Sequence, residues 1–167
     1  SSALVMAIWS ALGILLIGTL ITAALIVYLR MRDQALAQMQ QAEKHYRDLF
    51  EAAPAMYVTI RDDHGTPIIT DCNGLFLKTL QYDREHVIGR SLADFHSADS
   101  RRKLLGANGY PEALQGKIVS GERELLVSDG RAIRVLMRGD PIADESGKVI
   151  GTRAMYVDNS EQKLAAD

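Results

Sequence analysis

A chain of 167 residues with a net charge of −2 has no basic footprint for a phosphate backbone, which argues against nucleic acid as a partner. Its lone Cys72 cannot form an internal disulfide, in keeping with a reducing compartment. All 19 Lys and Arg and all 21 Asp and Glu lie after Leu29, so the near-zero mean hydropathy blends an apolar anchor with a polar remainder long enough for one domain.

Residues 1–29 contain no Asp, Glu, Lys, Arg or His. At about 1.5 Å of rise per residue a helix of that length covers roughly 40 Å, more than the ~30 Å hydrocarbon core of a bilayer. Its fourteen Leu, Ile and Val residues favour insertion by roughly 4 to 8 kcal/mol as an upper value. A buried core helix would be shorter and more polar, whereas only Ser10, Thr19 and Thr22 interrupt this one, with hydroxyls that can bond their own backbone. A cleaved signal peptide would need a basic start and a small-residue cleavage site, and neither is there. Residues 1–29 are thus expected to be a single transmembrane helix in contact with membrane lipid. Arg30 and Arg32 follow at once, which by the positive-inside tendency puts the remainder in the cytoplasm, at the inner membrane. The Ser-Ser start without Met points to further residues upstream, and Ala3, Ala7 and Ala11 permit close helix pairing.

Residues 30–53 (RMRDQALAQMQQAEKHYRDLFEAA) hold no Gly or Pro and many good helix formers, so the helix should run on as a juxtamembrane linker. Ala35, Met39, Ala42, Tyr46, Leu49 and Ala53 recur at spacings of 4, 3, 4, 3 and 4, the seam of a parallel homodimer. The alternative is a polar helix lying on its own domain, anchored by Leu49 and Phe50. Pro54 ends the helix, because it lacks a donor and restricts the residue before it.

A domain is expected over residues 54–158. Residues 56–61 and 67–71 alternate as two strands around a turn at 62–66, making a hairpin. Asn73 is a good N-cap for a short helix over 74–80, and Asp83 for another ending at Gly89. Short helical pieces fill the stretch to Gly116. Residues 117–127, 131–138 and 149–157 then return to a period of two, joined by turns at 128–130 and 144–147. The fold class is α+β, a five-stranded antiparallel sheet with inserted short helices behind a long transmembrane and linker helix.

No catalytic constellation is present: no phosphate-binding Gly-rich loop ending in Lys-Ser or Lys-Thr, no His-Glu-x-x-His and no Gly-x-Ser-x-Gly. His64, His86 and His96 lack partners at metal or triad spacing, and solvated or capping roles are expected for them, least firmly for His96. On the strand over 131–138, Ile133, Val135 and Met137 alternate with Arg134, Leu136 and Arg138, so the first set should face inward.

Several segments resemble the PAS (S-box) sensory family, over residues 46–163 in all: YRDLFEAAP at 46–54, Asn73-Gly74-Leu75-Phe76, Leu80-Gln81-Tyr82, Val87-Ile88-Gly89, Asp129-Gly130, Pro141-Ile142, GKVIG at 147–151 and Asp158-Asn159-Ser160. Gln81 departs from the family, where Gly is usual; if the backbone there has positive φ, Gln costs about 1 kcal/mol. The resemblance implies that Thr152, Ala154 and Tyr156 face a pocket while Met155 and Val157 face outward. With Phe76, Leu80, Phe95, Val135 and Met137 they would line a small apolar cavity for a small-molecule ligand; a filled core is the alternative. It also implies that Asp158 and Ser160 transmit the signal at the join to an output helix, begun by residues 159–167.

Haem-binding members carry an axial His within the stretch matching residues 104–115, where none occurs, and photosensory flavin members an Asn-Cys-Arg-Phe motif that Cys72 does not supply. Haem and covalent flavin are therefore not expected, and no other cofactor and no metal is predicted. The function implied is signal transduction: a cytoplasmic PAS domain in a membrane-anchored receptor, of the two-component sensor histidine kinase kind. It would sense a ligand or relay a transmembrane signal to an output domain outside the chain. A ligand-free dimerisation module, as in a diguanylate cyclase, is the alternative.

Overall fold

The computed structural model describes residues 2–159, which fall into two compact units divided between Asp48 and Leu49. The first is built on α1 (Ser2–Ala52), a single helix of 51 residues, and it is the one helix among the described residues long and apolar enough to cross a membrane. The hydroxyls of Ser10, Thr19 and Thr22 donate to the carbonyls of Ala7, Leu16 and Gly18 at 2.9, 2.8 and 2.8 Å, so each polar interruption is satisfied within the helix. Ala35, Met39, Ala42 and Tyr46 are all exposed on α1.

In the second unit the chain passes from the last turn of α1 into β1 (Met56–Asp63) and β2 (Thr66–Cys72), joined by a two-residue turn at His64 and Gly65 with φ of 52° and 87°. Two positive φ values are what a type I′ hairpin needs, and the strands therefore run further into the turn than their alternation suggested. Next come α2 (Gly74–Leu80), 3-10 turns at Arg84–His86 and Leu92–Phe95, then α3 (Ala98–Leu105) and α4 (Tyr110–Leu114). The strands β3 (Val119–Leu126), β4 (Ala132–Ala143) and β5 (Val149–Asp158) complete an antiparallel sheet in the order β2-β1-β5-β4-β3. The helical insert covers one face, and single bridges from Ser91 to Ile68 and from His96 to Leu125 tie it to the sheet.

Two expectations need correction. Asp83 precedes a 3-10 turn rather than an α-helix, and its side chain makes no capping hydrogen bond. The fourth strand continues well past Arg138: Gly139, Asp140 and Pro141 disfavour strands, but they pair with Ala154, Arg153 and Thr152 of β5. The β3 ladder stops at Gly139, so Pro141 occupies a sheet edge where its missing N–H leaves no partner stranded.

Of the two residues expected to anchor the incoming helix, only Phe50 does so, at 7 % exposed against 60 % for Leu49. Phe50 sets its ring 6.0 Å from that of Tyr57 on β1. The join is held by Asn73, which is wholly buried. Its Nδ2 donates to the carbonyls of Phe50 and Ala55 at 3.0 and 2.9 Å, and its Oδ1 accepts from Tyr57 N at 2.9 Å and Phe76 N at 3.2 Å. Glu51 adds a second cap on α2, accepting from Gly74 N at 2.6 Å, while Arg84 reaches Asp71 at 2.7 Å, the Cys72 carbonyl at 2.8 Å and Glu51 at 3.3 Å.

Gln81 does sit in the left-handed region, at φ 59° and ψ 44°, closing α2 through its N–H to the Leu77 carbonyl. Gln81→Gly should therefore raise unfolding stability by about 1 kcal/mol, read as a higher urea midpoint at unchanged slope. Asn73→Ala strands four backbone groups, three of them buried, and should lower stability by about 3 to 5 kcal/mol in the same assay.

Candidate functional site

The inner face of the sheet is packed unevenly along its length. At one end Phe95 is boxed edge-on by Phe76 at 6.1 Å and Tyr82 at 5.1 Å, with the Arg90 guanidinium 5.3 Å from its centre. Large rings in such contacts leave no room, and Leu80 and Val135 are buried in the same continuous core. At the other end a cavity of about 30 Å³ remains, walled by Met137, Thr152, Ala154 and Tyr156 of the sheet and by Tyr110 and Ala113 of α4.

Of the eight residues expected to line a pocket, Met137, Thr152, Ala154 and Tyr156 do so, whereas Phe76, Leu80, Phe95 and Val135 lie outside this lining. Alternation distinguishes inward from outward positions but not a filled end from an empty one. Ile133 is only partly buried and packs at the margin of the core. The sequence reading passed over Gly109 and Gly139, which also border the cavity. A Cβ on Gly109 would run into the carbonyls of Lys103 and Leu104, so its bare backbone is what lets α4 close against α3. A Cβ on Gly139 would meet Met137 Sδ at 3.7 Å and the Val119 carbonyl at 3.8 Å, ordinary contacts, so the space there is open to a side chain.

Of the solvated and capping roles expected for it, His96 takes the second: it is the C-cap of the turn over Leu92–Phe95, but from a buried position. It is 1 % exposed, its Nδ1 donates to the Leu92 carbonyl at 2.9 Å, and its ring lies 6.0 Å from that of Tyr156. His64 and His86 do sit at the surface, beside Asp63 at 3.0 Å and Asp83 at 3.9 Å. Burial, aided by the charges of Arg123 and Arg101, pushes His96 down from 6.5 to about 4. Burial likewise pushes the Cys72 thiol up to about 11, so this wholly buried cysteine is a packing residue. The Tyr156 phenol is raised by its burial.

Asp158 closes β5 opposite Val135, and the next N–H, of Asn159, donates to the Arg134 carbonyl at 3.0 Å. Ser160, expected to act with it, lies outside the described residues. Among the described residues no three His, Cys, Asp or Glu side chains converge as a metal site.

The family model for the PAS domain matches residues 54–161. The chain belongs to the PAS domain family. It is similar in structure to the PAS domain of a protein from Colwellia psychrerythraea, at 21 % identity and a TM-score of 0.59, covering 72 % of this chain and 98 % of that one. The PAS domain of an HTR-like protein from Haloarcula marismortui gives 20 % identity, a TM-score of 0.60 and coverages of 75 % and 98 %. The PAS domain of a LuxR-family transcriptional regulator from Burkholderia thailandensis, solved in complex with ethanol, gives 21 %, 0.56, 69 % and 97 %. A search of curated proteins finds no match. As a PAS domain, residues 54–161 form a sensory module of signal transduction.

The displaced His96 titration has a direct consequence for stability. The unfolded chain binds the His96 proton near pH 6.5 and the folded PAS domain only near pH 4, so the unfolded state binds more protons between these values. The contribution is present above pH 6.5 and lost as pH falls towards 4, about 3 kcal/mol in all. His96→Phe should flatten the dependence of unfolding free energy on pH across that window, measured by urea titration at successive pH values.

Proposed function

We infer that the chain is the sensory part of a membrane-anchored receptor. In this reading the apolar part of α1 spans the inner membrane, the PAS domain lies in the cytoplasm, and the output is a histidine kinase beyond the chain. The observation that carries it is the placement of the cavity wall. Thr152, Ala154 and Tyr156 pair with Ile60, Val58 and Met56 of β1, the strand that follows α1, and the same β5 ends at Asp158. A molecule held against that wall strains the ladder joining the incoming and outgoing segments.

With seams at Ala35, Met39, Ala42, Tyr46 and Leu49 pairing two copies, the strain changes dimer geometry, a bias of about 1 to 3 kcal/mol for ordinary coupling. A cavity of about 30 Å³ with the Thr152 and Tyr156 side chains in its wall suits a very small uncharged molecule. Ethanol in the Burkholderia thailandensis relative supports that size class.

Native mass spectrometry of the full chain released from detergent should show dimers retaining a small neutral molecule. Gly139→Ala, which fills the space without a clash, should lose that molecule while keeping the dimer. Dimers that carry nothing in either protein would favour a ligand-free dimerisation module instead. In a receptor with its output attached, Asp158→Ala should leave the fold intact and reduce the signalling response.

A further inference from the structure

The apolar half of α1 is longer than the bilayer it would cross, so its depth has to be set by something other than length. Residues 2–29 carry no charge, and a helix of that length exceeds the ~30 Å hydrocarbon core by about 10 Å. Composition alone therefore allows a slide of several residues. Two aromatic side chains narrow it. Trp9 and Tyr28 both stand out from α1, and among the described residues neither the Trp9 indole N–H nor the Tyr28 hydroxyl has a hydrogen-bond partner. Each side chain has an apolar body and one polar group, which hydrocarbon leaves unsatisfied and the headgroup region satisfies. The helix rises about 28 Å from Trp9 to Tyr28, which matches the thickness of the core.

The rest of the helix agrees with that depth. Arg30 and Arg32 fall just past Tyr28, where long side chains reach the headgroups. Midway between the two aromatics lie Gly18 and Thr19, and the hydroxyls nearest that point, of Thr19 and Thr22, are taken up by the Leu16 and Gly18 carbonyls at 2.8 Å. Neither hydroxyl is therefore left free near the bilayer centre. Centring the whole apolar stretch instead, near Leu15 and Leu16, would draw the Trp9 N–H into hydrocarbon. With the aromatics at the interfaces, residues 2–8 lie beyond Trp9. They continue the same helix for about 10 Å, and apart from Ser2 they are apolar.

We propose that α1 is seated in a bilayer with a hydrocarbon core of about 28 Å, Trp9 at one interface and Tyr28 with Arg30 and Arg32 at the other, and that residues 2–8 are apolar length that a thicker bilayer draws in. The charged end is the firmer of the two pins, because drawing a guanidinium into hydrocarbon is costlier than drawing in an indole. A change in thickness is therefore taken up at the Trp9 end, and the end that runs on into the charged part of α1 keeps its depth. This rests on the reading of α1 as a membrane span, and adds the depth at which it sits and the bilayer thickness it fits.

Trp9 is the sole tryptophan, so its fluorescence reports its own depth. The full chain is reconstituted in dioleoyl phosphatidylcholine vesicles doped with brominated lipids that carry the quencher high, midway or low on the acyl chain. The highest bromines, nearest the headgroup, should quench Trp9 most, whereas in a variant with Trp9→Phe and Leu20→Trp the lowest should. In dierucoyl phosphatidylcholine, whose longer chains thicken the core, the strongest quenching of Trp9 should shift to deeper bromines. Arg30→Leu with Arg32→Leu should abolish that shift, since the unpinned end can then sink instead. Trp9 quenched most by the lowest bromines in dioleoyl vesicles, or by none while Leu20→Trp is quenched, would overturn the proposed depth. A Trp9 that stays shallow in dierucoyl vesicles, or sinks as far without the arginines, would overturn the apolar reserve and its pinning. Tryptophans at both positions untouched by any bromine would instead overturn the membrane span on which the proposal rests.

Discussion

One buried amide ties the last turn of α1, at Phe50, to the strand and the short helix that follow it. Asn73 has two donors and one oxygen with two acceptor positions, and all four are used, on α1, on the residue before β1, on β1 itself and on α2. The Phe50 carbonyl it satisfies belongs to the last turn of α1, where a helix has no partners of its own. No other side chain of that size offers two donors and two acceptors in one plane; Asp would turn both donors into acceptors facing carbonyls. The Glu51, Arg84 and Asp71 contacts surround this bond set at the half-exposed surface, where each ion pair adds little. The geometry of the join therefore depends on the amide, with the charges as reinforcement.

The same join sets a limit on what a sequence can reveal. Asn73 was legible as an N-cap, because capping needs only its neighbours on the chain, but its bonds to Phe50 and Ala55 reach back along the chain and leave no local mark. Gln81 was legible for the opposite reason: its departure from the usual Gly pointed to a backbone state, and the structure has that state. The strands read well where side chains alternate and poorly where pairing alone sustains them, as at Gly139, Asp140 and Pro141.

The candidate site divides in the same manner. Thr152, Ala154 and Tyr156 could be assigned to the inner face, since a pleated strand offers only two faces. Which inner positions border empty space depends on the volumes of rings arriving from the insert, and Phe95 with its neighbours fills one end while Gly139 leaves the other open. The burial of His96 left no mark in the sequence, where a histidine beside Asp-Phe looks polar, whereas its bridge to Leu125 sets it against the sheet. Burying it there leaves its Nε2 without a hydrogen-bond partner among the described residues, an arrangement that packing alone does not favour.

The register of the two central strands has a mechanical side. Met56 at the start of β1 lies opposite Tyr156 near the end of β5, and Arg61 opposite Gly151. The segments leading into β1 and out of β5 therefore leave the sheet at the same end of one ladder. Tension that separates those segments loads the Met56 and Tyr156 end first and opens hydrogen bonds in succession. Strands pulled lengthwise past each other would instead resist with all their bonds at once. A domain threaded this way yields to small forces at its two attachment points while the rest of the sheet keeps its pairing.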